Sequence, residues 1–174
     1  MKSRWGSGIV VAKGRVFHPV ELNGFAAFKG KSPVGLLTYR IEGSDCEIVT
    51  IDSASEREGI GTALIGAVEE RAKAKGCRRL WLITTNDDLN ALGFYQRRGF
   101  RLTALYPNAL EASRKLKPEI SMKAAKVFRS GMSWNLNWSC RDKTILRRQN
   151  IAQKDVLRKL RSGYFFLSLS HHFR

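Results

Sequence analysis

Acidic side chains nearly disappear from the last third of this 174-residue chain. Residues 121–174 carry 12 Lys and Arg but only Asp142 and Asp155 on the acidic side, whereas residues 1–120 carry 19 basic and 13 acidic residues. The net charge of +16 is therefore concentrated in the tail, a balance that points to nucleic acid, an acidic surface or a polyanionic ligand. Cysteine is scarce as well. Cys46, Cys77 and Cys140 are an odd number without a C-x-x-C pair, so neither a disulfide framework nor a zinc site is expected, and a reducing cytoplasm fits best. Long hydrophobic runs are missing too. The opening MKSRWGSGIVVAKGR is broken by charge, and no stretch approaches the ~18 apolar residues that a membrane span requires. The expectation is a soluble, unsecreted protein with no membrane partner, and 43% hydrophobic residues suffice for one cored domain.

What is present is an alternation of strand and helix signals. GIVVAKGRVFHP and AAFKGKSPVGLLTYRIEG are short β-rich runs punctuated by Gly and Pro, and CEIVTIDS follows with Ile48, Val49 and Ile51 in a strand pattern. From Ile60 the apolar positions Ile60, Ala63, Leu64, Ala67, Val68 and Ala72 fall at i, i+3, i+4, i+7 and i+8, the spacing of one buried helix face. Glu69 and Lys73 are expected to pair at i, i+4 on the wet side, and Gly76 to end the helix. RRLWLITT reads as a strand, DDLNALGFYQRRG as a shorter helix capped by Asp87 or Asp88, and FRLTALY as another strand. That order implies parallel pairing through right-handed crossovers.

Residues 55–76, SEREGIGTALIGAVEERAKAKG, place Gly59 and Gly61 where the strand turns into the helix. Such a junction leaves backbone N–H groups unpaired at the positive end of the helix dipole, a cradle for an anion. Bare glycines let a phosphate approach the main chain, and Thr62 adds a hydroxyl. Two plainer roles stay open: Gly59 as a turn residue and Gly61 as a point of close helix–sheet packing. The spacing fits neither a Walker loop nor a dinucleotide fingerprint.

EGIGTALI, followed some thirty residues later by NDDLNALGFYQRRGF, resembles the GNAT superfamily of acetyl-CoA-dependent N-acetyltransferases. Its first signature is Arg/Gln-x-x-Gly-x-Gly/Ala, and its second is roughly Asn-x-x-Ala-x-x-φ-Tyr-x-x-x-Gly-Phe. The resemblance covers about residues 34 to 106. It implies an α/β (α+β) fold with a mixed, strongly twisted sheet flanked by helices, here short at its N-terminus and with an atypical C-terminal tail. It also implies acetyl-CoA as donor and a primary amine as acceptor. In that family the pyrophosphate lies on the backbone of the Gly-rich turn, here Arg57, Glu58, Gly59, Ile60, Gly61 and Thr62. The pantetheine arm adds to an open strand edge, here Val49, Thr50 and Ile51. Tyr95 matches the tyrosine that protonates the departing thiolate, although a core role on its helix face is the alternative. A strand glutamate often serves the amine as base through water; Glu47 is the candidate, with Asp52 and His18 behind it, and each has an ordinary solvated or paired reading as well. No metal is required, and His171 and His172 are expected to be solvated.

The chain departs from the signatures at Glu56, where Arg or Gln is usual, and at Asp88, where Asn is usual. Both put a carboxylate near the expected coenzyme site, with Arg57, Arg97 and Arg98 as possible offsets. Gly93 is an unfavourable residue for the interior of the second helix.

The division expected is residues 1–120 as the acetyltransferase domain and 121–174 as a basic tail without clean strand alternation. Gly131 to Trp138 can be written GGG ATG AGT TGG AAC TTG AAT TGG. Read from the last base of the first codon, this gives Asp-Glu-Leu-Glu-Leu-Glu-Leu, an alternating strand. The tail is thus either an out-of-frame product or a genuine basic segment, KTILRRQNIAQKDVLRKLR, for a polyanion such as nucleic acid. A degenerate, non-catalytic family member is the second functional reading.

Overall fold

A computed structural model of the chain describes residues 8–12, 14–85, 88–107, 109–118, 133–139 and 164–169. Asp87, Cys140, His171, His172 and the basic stretch 143–161 lie outside the described residues. The elements in chain order are β1 Val10–Ala12, β2 Arg15–Phe17, a 3-10 turn at Pro19–Glu21, β3 Asn23–Lys29, β4 Ser32–Glu42 and β5 Asp45–Ser53. They continue with α1 Ile60–Ala74, β6 Arg79–Thr85, α2 Leu89–Gln96, β7 Arg101–Tyr106, α3 Ala109–Leu116, β8 Ser133–Ser139 and β9 Tyr164–Leu169. The fold is mixed α/β. Among the described residues no helix is long and apolar enough to cross a membrane.

The chain divides into two compact units, Met1–Pro19 with Trp81–Trp138 and Val20–Leu80 with Ser139–Arg174. In the second unit the strand order is β5-β4-β3-β9, with every neighbour antiparallel. A two-residue turn, Gly43-Ser44, joins β4 to β5 and sets the register from Glu42↔Asp45 through Arg40↔Glu47. The ladder then skips Val49, passing from Tyr39↔Ile48 to Thr38↔Thr50. One residue on β5 therefore bulges, which reverses the strand's facing from there on.

Helix α1 packs on this sheet because its apolar side chains recur on one face. Ile60, Leu64 and Val68 are buried against a core that includes Leu37, Ala27 and Cys46. The sheet approaches the helix closely at Gly35, where an added Cβ would stand 2.5 Å from Ile60 Cγ2 and 3.0 Å from Leu64 Cδ1. The helix closes as expected at its far end. Gly76 adopts φ 70, its N–H bonds to Lys73 O at 2.9 Å, and Cys77 N–H bonds to Ala72 O at 2.9 Å, the paired bonds of a Schellman ending. The expected wet-side position of Glu69 is corrected: Glu69 is buried, and Lys73 Nζ pairs with Glu70 at 2.7 Å. The buried face is wider than a single apolar stripe, taking in Ile65 and Gly66 as well.

In the first unit β1 and β2 form an antiparallel hairpin on which α3 rests. Gly14 N–H donates to Ser113 Oγ at 3.4 Å, Lys117 Nζ donates to Ile9 O at 3.2 Å, and Leu110 and Ser113 are buried. The strand order here is β7-β8-β6. The expected succession from β6 to β7 is thus interrupted: β8 lies between them, antiparallel to β7 in the register Arg101↔Asn137, with Leu136 fully buried. The tail, read from sequence as lacking strand alternation, supplies both β8 and β9. An open strand edge offers a full row of backbone partners, so pairing can form where side-chain alternation is weak.

Candidate functional site

The junction of β5 and α1 is built almost entirely from main chain. Beyond Ser53 the chain leaves the sheet after one last bond, Ala54 N–H to Val34 O at 2.8 Å, and Ser53 Oγ donates to Ser55 O at 3.2 Å. Arg57 then takes φ 63, the one described non-glycine residue in the left-handed region, and Gly59 follows at φ 82. Left-handed backbone costs a side chain about 1–3 kcal/mol, so strain is retained at Arg57 and avoided at Gly59.

Gly59 is the N-cap of α1 and offers no side-chain cap; the first intrahelical bond is Ala63 N–H to Gly59 O at 3.0 Å. The N–H groups of Ile60 and Gly61 precede that bond and point out of the helix end, where the dipole is positive. Arg57 and Glu58 are exposed while Ile60 is rooted in the core, so the turn is anchored through Ile60. Gly59 is needed for its backbone angle, and a close helix–sheet approach lies at Gly35.

Upstream, Val49, Thr50 and Ile51 are partly exposed. Thr50 and Ile51 pair with Thr38 and Leu37 along one edge, Val49 forms the bulge, and the Thr50 and Thr38 hydroxyls lie 2.7 Å apart. Glu47 is buried, and its Oε2 accepts a hydrogen bond from Arg40 Nε at 2.5 Å. Arg40 NH1 also pairs with Glu42 Oε1. Glu47 is therefore an ion-paired carboxylate, whereas Asp52 and His18 are exposed. Arg40 was not singled out from sequence. The two-residue turn at Gly43-Ser44 was the signal, because it forces residue 40 opposite residue 47.

The first unit carries Tyr95 and Asp88. Asp88 caps α2, its Oδ1 accepting from Ala91 N–H at 2.9 Å. Tyr95 is buried, edge-on to Phe94 at 5.3 Å and to Phe100 at 5.8 Å. Burial, reinforced by the Asp88 carboxylate and opposed by Arg98, raises its pKa well above the ordinary 10.0. A phenol in that setting keeps its proton until a stronger base forms beside it. Arg98, considered above as an offset to the acidic departures, is engaged at the end of α2: NH1 donates to Phe94 O at 2.7 Å and the guanidinium lies 3.5 Å over the Phe94 ring. Among the described residues no three His, Cys, Asp or Glu side chains converge on a common point.

The profile of the acetyltransferase (GNAT) family matches residues 12–100. The chain is 50% identical over 117 residues to the uncharacterised protein YdhI of Bacillus subtilis (strain 168), spanning 67% of this chain and 73% of that one. It is 43% identical over 124 residues to YxbD of the same organism, 71% of this chain and 78% of the other. Among solved structures, an acetyltransferase of Bacillus subtilis in complex with CoA superposes with a TM-score of 0.59 at 21% identity, over 68% of this chain and 78% of its own. A GNAT family acetyltransferase from Elizabethkingia anophelis with acetyl-CoA bound gives 0.61 at 22% identity, over 70% and 78%. An uncapped helix behind a left-handed turn, on a sheet that these enzymes share, meets a family profile covering half the sequence: the chain belongs to the GNAT acetyltransferase family.

Proposed function

We propose that the protein moves the acetyl group of acetyl-CoA to a primary amine by direct attack. The observation that carries this reading is the α1 N-terminus, which has no side-chain cap and is preceded by left-handed Arg57 and Gly59. In this reading the main chain of residues 57–62 holds the coenzyme pyrophosphate through N–H groups. Backbone groups of Val49, Thr50 and Ile51 hold the pantetheine arm as an added strand would be held, and Asp88 is a further coenzyme-binding residue. The amine nitrogen attacks the thioester carbon, the carbon–sulfur bond breaks, and Tyr95 gives its proton to the leaving thiolate. Glu47, through water, takes the proton that the amine sheds. General acid–base steps of this kind are each worth ~10² to 10⁴ in rate. Tyr95 is fully protonated at neutral pH, as a donor must be, while its raised pKa makes it a weaker acid than a free phenol, so the transfer relies on the thiolate charge forming beside it.

Isothermal titration of the full chain with acetyl-CoA tests the clamp, with Gly61→Glu as control. Binding that survives Gly61→Glu would remove the turn from the reading. A panel of primary amines, followed by release of the CoA thiol, tests the transfer; a chain that binds acetyl-CoA but acetylates none of them is the non-catalytic family member of the second reading.

A specific observation also favours the out-of-frame origin of residues 121–174. The family profile stops at residue 100, and the two relatives match 117 and 124 of the 174 residues. Strand β8, Ser133–Ser139, overlaps the span for which one synonymous codon choice gives an alternating acidic–leucine strand in the neighbouring frame. Sequencing the gene tests this: an alternative frame that is interrupted, or that lacks strand-like coding beyond Trp138, defeats it. If the tail is instead a polyanion site, the full chain binds duplex DNA with an affinity that falls steeply with salt.

A further inference from the structure

We infer that Arg40 is a positioning residue for the acetyl transfer, orienting Glu47 by holding one of its two carboxylate oxygens; this rests on the reading of Glu47 as the base. The pair is set by register, since Arg40 and Glu47 are directly opposed across the β4–β5 ladder. The Arg40 and Glu47 side chains are 16% and 8% exposed. Arg40 Nε takes Oε2, and the second arm of the same guanidinium is tied to Glu42. A guanidinium fixed at both ends presents a rigid fork, so the carboxylate it holds has little freedom left.

Among the described residues the one side-chain hydrogen bond to the Glu47 carboxylate is that of Arg40 to Oε2. One oxygen is clamped by Arg40, which leaves the other as the one a base acting through water would use.

The bulge supplies the second part of the argument. Gly35 faces α1, and Tyr39 hydrogen-bonds Arg71 on that helix, so Gly35, Leu37 and Tyr39 occupy the helix side of β4. Thr38 and Arg40 occupy the other side by strand alternation. On β5 the skipped residue Val49 brings Glu47 and Thr50, three apart, onto that same side opposite them. The result is a polar row of Thr38, Thr50, Arg40 and Glu47 on the face away from α1, its two hydroxyls 2.7 Å apart. Stability is a poor explanation for such a row, because buried ion pairs are often replaced by apolar residues at no loss.

The test is steady-state kinetics of the full chain with acetyl-CoA and the best primary amine from the panel, for Arg40→Gln, Arg40→Lys and Glu47→Gln, each checked by thermal melting. Arg40→Gln is expected to lower kcat about tenfold with KM for acetyl-CoA within about twofold of native. Arg40→Lys, which keeps a charge but not the fork, should recover part of that loss, and this variant carries the test if Arg40→Gln does not fold. Native kcat in Arg40→Gln beside a large loss in Glu47→Gln overturns the positioning role while leaving Glu47 as base. Native kcat in both variants, or no turnover of any amine by the native chain, overturns the reading of Glu47 and this inference with it. A loss in Arg40→Gln that appears equally in KM for acetyl-CoA, with no recovery in Arg40→Lys, assigns the pair to structure alone.

Discussion

Gly35 of β4 lies directly beneath Ile60, the first residue of α1: a methyl group on Gly35 would approach Ile60 Cγ2 to 2.5 Å and Asp52 O to 3.4 Å. Neither neighbour can yield easily, since Ile60 is 1% exposed and Asp52 O is backbone. Gly35→Ala is therefore expected to destabilise the fold by about 1–3 kcal/mol, the usual cost of overpacking. Because the displaced atom belongs to the residue that roots the turn, acetyl-CoA binding should weaken as well. Urea unfolding and titration of the same variant measure the two effects; unchanged stability would mean that α1 moves freely on the sheet.

Tyr95 should register in both rate and stability. Tyr95→Phe is expected to lower kcat by ~10² or more while leaving acetyl-CoA affinity close to native. The folded state holds the phenol proton above the ordinary 10.0, so between pH 10 and that raised value the unfolded chain binds fewer protons than the folded one. Stability then falls as pH rises, by at most about 1.4 kcal/mol per pH unit for one group, and is fully present below pH 10. Tyr95→Phe should lose less stability than the native chain on going from pH 9 to pH 11. Equal losses in urea midpoints would show that Tyr95 titrates as an exposed phenol.

The acidic departures from the family signature can be reversed without harming α2. Asp88 caps that helix through Ala91 N–H, and Asn is as good a cap as Asp. Glu56→Gln with Asp88→Asn should therefore leave the melting temperature near native and tighten acetyl-CoA binding by removing two negative charges. No tightening in a calorimetric titration would show that neither carboxylate faces the coenzyme phosphates.

Cys46 offers a simple probe of the second unit. It is fully buried, and burial, together with neighbouring Cys77 and Glu47, pushes its thiol up to about 12. At pH 8 the folded chain should leave Cys46 unmodified by iodoacetamide, as the thiolate is the reacting form, whereas the urea-unfolded chain should be alkylated there at the rate of a free thiol. Rapid labelling of the folded chain at Cys46 by peptide mass mapping would mean that the β4–β5 hairpin opens readily.

Sequence by itself determined what short-range physics controls. The period of Ile60, Leu64 and Val68 defines α1, Gly59 and Gly76 mark its two ends by their left-handed backbone, and Asp88 caps α2; each depends on residues within a turn or two of one another. The candidate turn at 57–62 was legible for the same reason. Tertiary structure decided whatever depends on pairing between distant segments. Glu69 is buried because α1 is covered over a wider arc than its apolar stripe. Strand β8 enters between β6 and β7 although some thirty residues separate it from its partner. Glu47 acquires Arg40, and one skipped residue at Val49 brings it to the same face as Thr50. A strand's register reverses its facing with a shift of a single residue, and only the partner strand fixes that register, so the polar row behind the proposed chemistry exists in the folded sheet and not in any local pattern.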